Sequence, residues 1–121
     1  MQKLSTYEET LLSGWEDVHK MGQLSLWLML SLKDGPKHMA EIKAFMNEMT
    51  DGALTVDDKS IYRALRRYNE TELIQIVAAR SNSGPDLKVY SLTAIGERVL
   101  EQFLTRNIQI FYKPNVRKLT Q

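Results

Sequence analysis

Apolar residues recur at helical spacing in the first part of the chain. The first stretch covers residues 7–20, with apolar positions at Leu11, Leu12, Trp15 and Val18. Ser5 or Thr6 precedes this stretch as a candidate N-cap. Because so short a helix is marginal alone, we expect it to pack on the body of its own chain or on a second subunit.

Two further helices are predicted before residue 50. Residues 23–33 are apolar nearly all round, which is typical of a short helix buried on most sides. The alternating leucines there also fit a strand, but Leu and Met favour a helix and no β-branched residue occurs. Asp34-Gly35-Pro36 ends this helix. The next one covers about 37–49 and is closed by Gly52 as a left-handed cap.

A strongly charged helix follows over residues 57–68. Ile61, Leu65 and Tyr68 stand at i, i+4 and i+7, the spacing of a buried stripe, and Asp57 or Asp58 is the expected N-cap. The cations that fall largely off this stripe are Lys59, Arg63, Arg66 and Arg67. A helix of this kind is suited to the major groove of DNA. The alternative is an ordinary solvated surface helix.

The period then changes from helical to alternating. Residues 73–80 are β-branched and strand-like, residues 81–86 have turn chemistry, and residues 88–92 alternate as a partner strand. Thr93 is the expected cap of a last helix, whose wide apolar stripe persists to Pro114. The polar tail at 113–121 is expected to be frayed.

The order of elements predicts a mostly α (α+β) fold, the winged helix-turn-helix. Its parts are an N-terminal extra helix at 1–21 that contributes to a dimer, a winged helix-turn-helix DNA-binding domain at 22–92, and a C-terminal dimerisation helix and tail at 93–121. In this architecture the basic helix reads the groove, and the hairpin tip lies along the backbone or in the adjacent minor groove.

The net charge of +1 hides an asymmetry along the chain. Residues 1–58 carry five Lys and ten Asp or Glu, a net of −5, whereas residues 59–121 carry eleven Lys or Arg and five Asp or Glu, a net of +6. A basic surface concentrated in this way favours a polyanion as the partner.

Other function classes find little support in the residues. The chain has no Cys, and its two His, at positions 19 and 38, fall on different predicted helices, so we expect no catalytic centre, metal site or cofactor. The N-terminus is polar and acidic, unlike a signal peptide, and the apolar stretch at 24–32 is too short to span a bilayer. We therefore expect a cytoplasmic protein that is not an enzyme and has no membrane partner.

Four local patterns, in their order and spacing, are more specific together than any one alone. They are residues 34–42 (DGPKHMAEI), residues 60–67 (SIYRALRR), Leu73-Ile74, and the set Gly84-Pro85, Lys88, Tyr90, Leu92-Thr93 and Gly96. On these patterns, over roughly residues 22–106, the chain resembles the PadR family of bacterial transcriptional regulators. It departs from the family pattern at Met39-Ala40, where Gly-Tyr is usual, at Asp86-Leu87 in a wing that is often basic, and at Tyr68, where Leu is usual.

The resemblance implies a homodimeric transcriptional repressor that binds double-stranded DNA. Its dimer is made mainly by the terminal helices. In some members the dimer opens to bind small aromatic or drug-like effectors. In this fold context the DNA-contact candidates are Lys59, Ser60, Tyr62, Arg63, Arg66, Arg67 and Lys88. For Tyr62, packing against the wing is the alternative. A winged-helix module that binds protein without specific DNA binding is the alternative for the whole chain.

The terminal helices carry more apolar surface than a small winged domain can easily cover, which independently points to an interface. The dimer candidates are Leu11, Trp15, Val18, Phe103, Ile108 and Phe111. A two-fold dimer suits a palindromic operator. Trp15 and Trp27 are candidates for stacking an aromatic effector, with core or dimer packing as the alternative.

Overall fold

The order of elements confirms the predicted winged helix-turn-helix. The computed structural model describes residues 2–79 and 87–121. The helices and strands are α1 (Thr6–Met21), α2 (Gln23–Asp34), α3 (Met39–Met49), α4 (Asp58–Glu70), β1 (Ile74–Ala79), β2 (Leu87–Leu92), α5 (Ala94–Asn107), a 3₁₀ helix (Gln109–Tyr112) and α6 (Pro114–Thr120). The predicted turn at 81–86, with Asp86, and Arg80 lie outside the described residues.

Short polar side chains start three of the helices. Ser5 and Glu8 form a capping box on α1, in which each side chain accepts the backbone N–H of the other residue. The Thr93 hydroxyl accepts the Gly96 N–H at 2.9 Å and starts α5 as predicted. At α4 the cap is Asp57, because its Oδ1 accepts the Ser60 N–H at 2.7 Å.

Three predictions about the ends of elements were wrong. The last helix, whose apolar stripe was expected to persist to Pro114, ends as α5 at Asn107 and is followed by a separate 3₁₀ helix. Helix α3 begins at Met39 instead of about Lys37, because Lys37 is paired with the wing: its N–H donates to the Tyr90 carbonyl at 3.0 Å, and the Tyr90 N–H donates back at 2.8 Å. The tail is not frayed, since Pro114–Thr120 form α6. Proline suits the first position of a helix, where its missing N–H has no intrahelical partner to lose.

The core lies where α2, α3 and α4 meet the wing and α5. Its fully buried side chains include Leu28, Ile42, Ile61, Leu65 and Ile74. Ile61 and Leu65 confirm the predicted stripe of α4, and Tyr68 is half-buried beside them. The one buried polar side chain among the described residues is Ser31, whose hydroxyl donates to the Leu28 carbonyl at 2.6 Å.

The wing is an antiparallel hairpin in which Ile74 pairs with Leu92 and Ile76 with Tyr90. Ile74 and Tyr90 face the core and are buried. Tyr90 is also the residue that pairs with Lys37. The wing is therefore tied to the α2–α3 connection as well as to its own two strands.

The junction between the wing and α5 is close-packed at the backbone. Gly96 is buried, and a Cβ atom built on it would lie 1.9 Å from the Leu73 carbonyl oxygen. Thr93 holds the same segment, since its N–H donates to the Leu73 carbonyl at 3.1 Å and its hydroxyl donates to the Glu72 carbonyl at 2.5 Å. Only glycine allows α5 to start this near to β1.

Helix α1 has no buried residue. Its apolar side chains are exposed, with Trp15 at 76% of its full accessible surface, and Leu11 and Val18 at 55% and 68%. Within the part of the chain that the structure describes, none of the helices combines the length and the apolar character needed to cross a bilayer.

Candidate nucleic-acid interface

Helix α4 presents a row of cations to solvent. Its buried residues are Ile61, Ala64 and Leu65. At 3.6 residues per turn, Lys59, Arg63 and Arg66 then fall on the opposite side at i, i+4 and i+7, and all three are exposed. We call this row the basic face.

Three predicted contact residues lie beside the basic face. Tyr62 is half-exposed, and Ser60 is more buried, in the first turn of α4. Arg67 is exposed, with its guanidinium carbon 5.8 Å from the centre of the Tyr68 ring. Helix geometry places these residues on two flanks of the central row of cations, with Ser60 and Arg67 on one side and Tyr62 on the other.

The N-terminal end of the basic face is anchored by acidic residues. The pKa of Asp57 is lowered mainly by a hydrogen bond from the Ser60 side chain and also by one from the Ser60 backbone. The positive charges of Arg63 and Lys59 lower it further. The Asp58 carboxylate lies 2.5 Å from the Lys43 ammonium on α3. This exposed ion pair joins the two helices of the helix-turn-helix and contributes little to stability on its own.

The wing contributes Lys88, which is exposed on β2. Tyr90 on the same strand is buried, which raises its pKa, and the neighbouring Tyr62 of α4 raises it further. Tyr62 itself is half-exposed on α4. Both roles considered for it, a DNA contact and packing against the wing, stay predictions.

Lys37 is a residue whose role the sequence did not reveal. Its side chain is 12% exposed, and its ammonium donates to the Ser31 carbonyl at 2.7 Å and to Asp34 at 2.8 Å. It also lies 5.1 Å from the centre of the Phe45 ring. Lys37 therefore ties α2, α3 and the wing together and is not free for a polyanion. The sequence around Lys37 does not indicate this structural role, because the partners of the side chain are brought together only by the fold.

The predicted dimer residues are mostly at the surface. Leu11, Trp15 and Val18 are exposed on α1, Phe103 on α5 and Phe111 on the 3₁₀ helix, whereas Ile108 is half-buried. These side chains remain candidates for an interface between two copies.

The two tryptophans occupy different surroundings. The Trp27 indole N–H donates to Gln23 Oε1 at 3.2 Å, and the ring packs partly buried against the core. The shallow groove beside Trp15 is lined by Leu12, Glu16 and His19, all on α1, and does not include Trp27. Effector stacking on Trp15 and Trp27 stays a prediction.

A comparison with protein-family models decides the family. Residues 28–102, from α2 into α5, match the model described as the transcriptional regulator PadR-like family. The chain belongs to the PadR-like family of transcriptional regulators. The match lies within the span of the resemblance seen in the sequence and confirms it. Helix α1 and the residues after 102 lie outside the matched region.

Solved structures show the same fold. A PadR-like regulator from Bacillus cereus is 25% identical with a TM-score of 0.67, covering 84% of this chain and 94% of its own. A PadR family regulator from Eggerthella lenta is 19% identical with a TM-score of 0.71, covering 97% and 98%. Bacillus subtilis PadR in complex with operator DNA is 21% identical with a TM-score of 0.64, and the match covers 72% of this chain and 49% of that protein. No curated protein sequence matches this chain.

Proposed function

We propose that this PadR-like protein is a sequence-specific, double-stranded DNA-binding regulator that acts as a homodimeric repressor on a palindromic operator. The observation that carries the proposal is the basic face of α4. Lys59, Arg63 and Arg66 are exposed in one row on the helix that follows the helix-turn-helix turn. An exposed α-helix fits the major groove of DNA. There an Arg side chain can donate two hydrogen bonds to the edge of one guanine, and it can contact a phosphate with similar ease.

Two further observations support the proposal. The chain belongs to a family of transcriptional regulators. Bacillus subtilis PadR, which shares the fold, has been solved in complex with operator DNA. On this proposal Ser60 and Arg67 contact DNA at one flank of the basic face and Tyr62 at the other, and Lys88 contacts the backbone from the wing.

The protein-binding alternative has an observation of its own. On the face of the hairpin that points away from Ile74 and Tyr90, Val77 and Leu87 are exposed and apolar. The cation that the described part of the wing adds is Lys88. An apolar outer face suits a protein partner better than a phosphate backbone, so DNA binding needs a direct test.

A salt series separates the two functions. The test is fluorescence anisotropy on DNA from upstream of the protein's own gene, with random DNA of equal length as the control. If a dimer neutralises about four phosphates, the slope of log affinity against log salt is about −3.6, and doubling the salt weakens binding about twelvefold. Binding to upstream DNA no tighter than to random DNA would contradict specific recognition and favour the protein-binding alternative.

The dimer is tested by Trp15→Ala. The exposed Trp15 indole has no role in the core, so we expect dimerisation to weaken about thirtyfold, as for an interface anchor worth about 2 kcal/mol, while the fold stays intact. Light scattering across a dilution series measures the change. Met49→Ala is the control, since Met49 is also exposed and apolar but lies on α3. Equal dimerisation in the Trp15 variant and the wild type would rule out α1 as an anchor.

A further inference from the structure

An ion pair between α3 and α4 lies at the N-terminal end of the basic face. The Lys43 ammonium on α3 is 2.5 Å from Asp58 Oδ1, and Asp58 is the first residue of α4. In helix-turn-helix proteins the first helix of the motif crosses the DNA backbone, and the N-terminal residues of the second helix meet the base edges. When α4 enters the groove, this ion pair therefore lies where the phosphate backbone passes α3.

Asp58 is not needed to start α4. The N-cap is Asp57, whose Oδ1 accepts the Ser60 N–H at 2.7 Å. Within residues 2–79 and 87–121, the polar partner of the Asp58 side chain is Lys43, and that side chain is 61% exposed. Apart from its favourable charge in the first turn of a helix, the Asp58 carboxylate therefore acts on Lys43.

Lys43 can exchange this partner for a phosphate. Its side chain is 45% exposed, and a lysine ammonium is a point charge on a flexible stem. An exposed ion pair is worth little and is screened by salt, whereas a cation that binds a phosphate also releases a counterion from the DNA. The exchange leaves the Asp58 carboxylate unpaired beside a polyanion, and the repulsion between like charges opposes binding.

We infer that Lys43 contacts a DNA phosphate and that Asp58 competes with the DNA for the Lys43 ammonium. The inference rests on the proposed function and adds to it two residues of opposite effect. Phosphates carry no sequence information, so the competition weakens binding to DNA of every sequence. The base contacts of the basic face are unchanged, and less of the protein is held on the many non-specific sites of a genome.

The test is a double-mutant cycle of Lys43→Gln and Asp58→Asn, measured as fluorescence anisotropy on upstream and random DNA. Asp58→Asn should tighten binding to both DNAs about two- to fivefold, because it frees a lysine from an exposed ion pair. Lys43→Gln should weaken binding to both DNAs and make the salt slope of a dimer shallower by about 1.8, which is about 0.9 for each lost phosphate contact. In the Lys43→Gln background, Asp58→Asn should change affinity by less than about 1.5-fold, because the residue through which it acts is gone.

Glu48→Gln is the matched control for the loss of one negative charge. Glu48 is exposed on α3, and in the part of the chain that the structure describes it forms no ion pair. This variant should tighten binding less than Asp58→Asn does, and by the same factor with and without Lys43. Circular dichroism checks that α4 still forms in Asp58→Asn, as expected from the remaining Asp57 cap.

Two results would overturn the inference in a protein that binds DNA. One is unchanged affinity in either Asp58→Asn or Lys43→Gln. The other is equal tightening by Asp58→Asn with and without Lys43, which would show that the carboxylate repels DNA by its charge alone. If the wild type binds neither DNA, the proposed function fails and this inference fails with it, so the wild-type titration distinguishes the two failures.

Discussion

Replacing both Arg63 and Arg66 with Ala is expected to remove specific DNA binding from a protein that still folds. Both side chains are exposed on the side of α4 opposite Ile61, Ala64 and Leu65, so truncating them leaves the core intact. A good bidentate contact from Arg to a base is worth about 1–3 kcal/mol. Two such contacts amount to about 2–6 kcal/mol, or at least about a thirtyfold loss of affinity.

The measurement is anisotropy on the upstream DNA at fixed salt, with circular dichroism to confirm the fold. Arg106→Ala is the matched control, since Arg106 is an exposed arginine in the last turn of α5. The pair Arg63→Lys and Arg66→Lys keeps the charge but loses the planar fork of donors. We expect it to retain binding to random DNA while losing preference for the upstream sequence.

Two outcomes would be informative against this assignment. Wild-type affinity in the double Ala variant would mean that the basic face does not contact DNA. An equal loss in Arg106→Ala would mean that the effect is one of general charge, not of recognition by α4.

The Gly96→Ala variant is expected to lose about 3 kcal/mol or more of unfolding free energy. Two effects compete at this position. Alanine favours a helix over glycine by about 1 kcal/mol, but the new Cβ would lie 1.9 Å from the Leu73 carbonyl oxygen. That oxygen belongs to the backbone and accepts the Thr93 N–H at 3.1 Å, so it cannot move away without breaking the junction. Overpacking against backbone therefore exceeds the gain in helix propensity.

Urea unfolding followed by circular dichroism measures the difference. Gly14→Ala is the matched control, because Gly14 lies inside the exposed helix α1 with open space where a Cβ would be. We expect that variant to be as stable as the wild type or up to about 1 kcal/mol more stable. A Gly96→Ala protein as stable as the wild type would show that α5 and β1 can separate without cost.

Much of the fold follows from local patterns. The spacing of Ile61 and Leu65 placed the buried side of α4, and the alternation after residue 73 placed the wing. Thr93 marked the start of α5, because a hydroxyl before a helix can bond the free amides of its first turn. These predictions succeeded because period and capping depend on residues within a few positions of one another.

The candidate interface was predictable to the same extent. Once Ile61 and Leu65 define the buried side of α4, the positions of Lys59, Arg63 and Arg66 on the other side follow from helix geometry. The flanking position of Arg67 near Tyr68 did not follow, since it depends on side-chain conformation. Contact with DNA by these residues remains a proposal.

Contacts between distant parts of the chain needed the fold itself. Lys37 pairs with Tyr90, more than fifty positions away, which moved the start of α3 and tied the wing to α2. The Ser25 and Tyr68 hydroxyls hydrogen-bond to each other although the two residues stand 43 positions apart in the sequence. Gly96 had no local reason to be glycine, because the atom it must avoid belongs to Leu73. Periodicity carries no information about which distant backbone or hydroxyl a residue will meet, and only packing settles that.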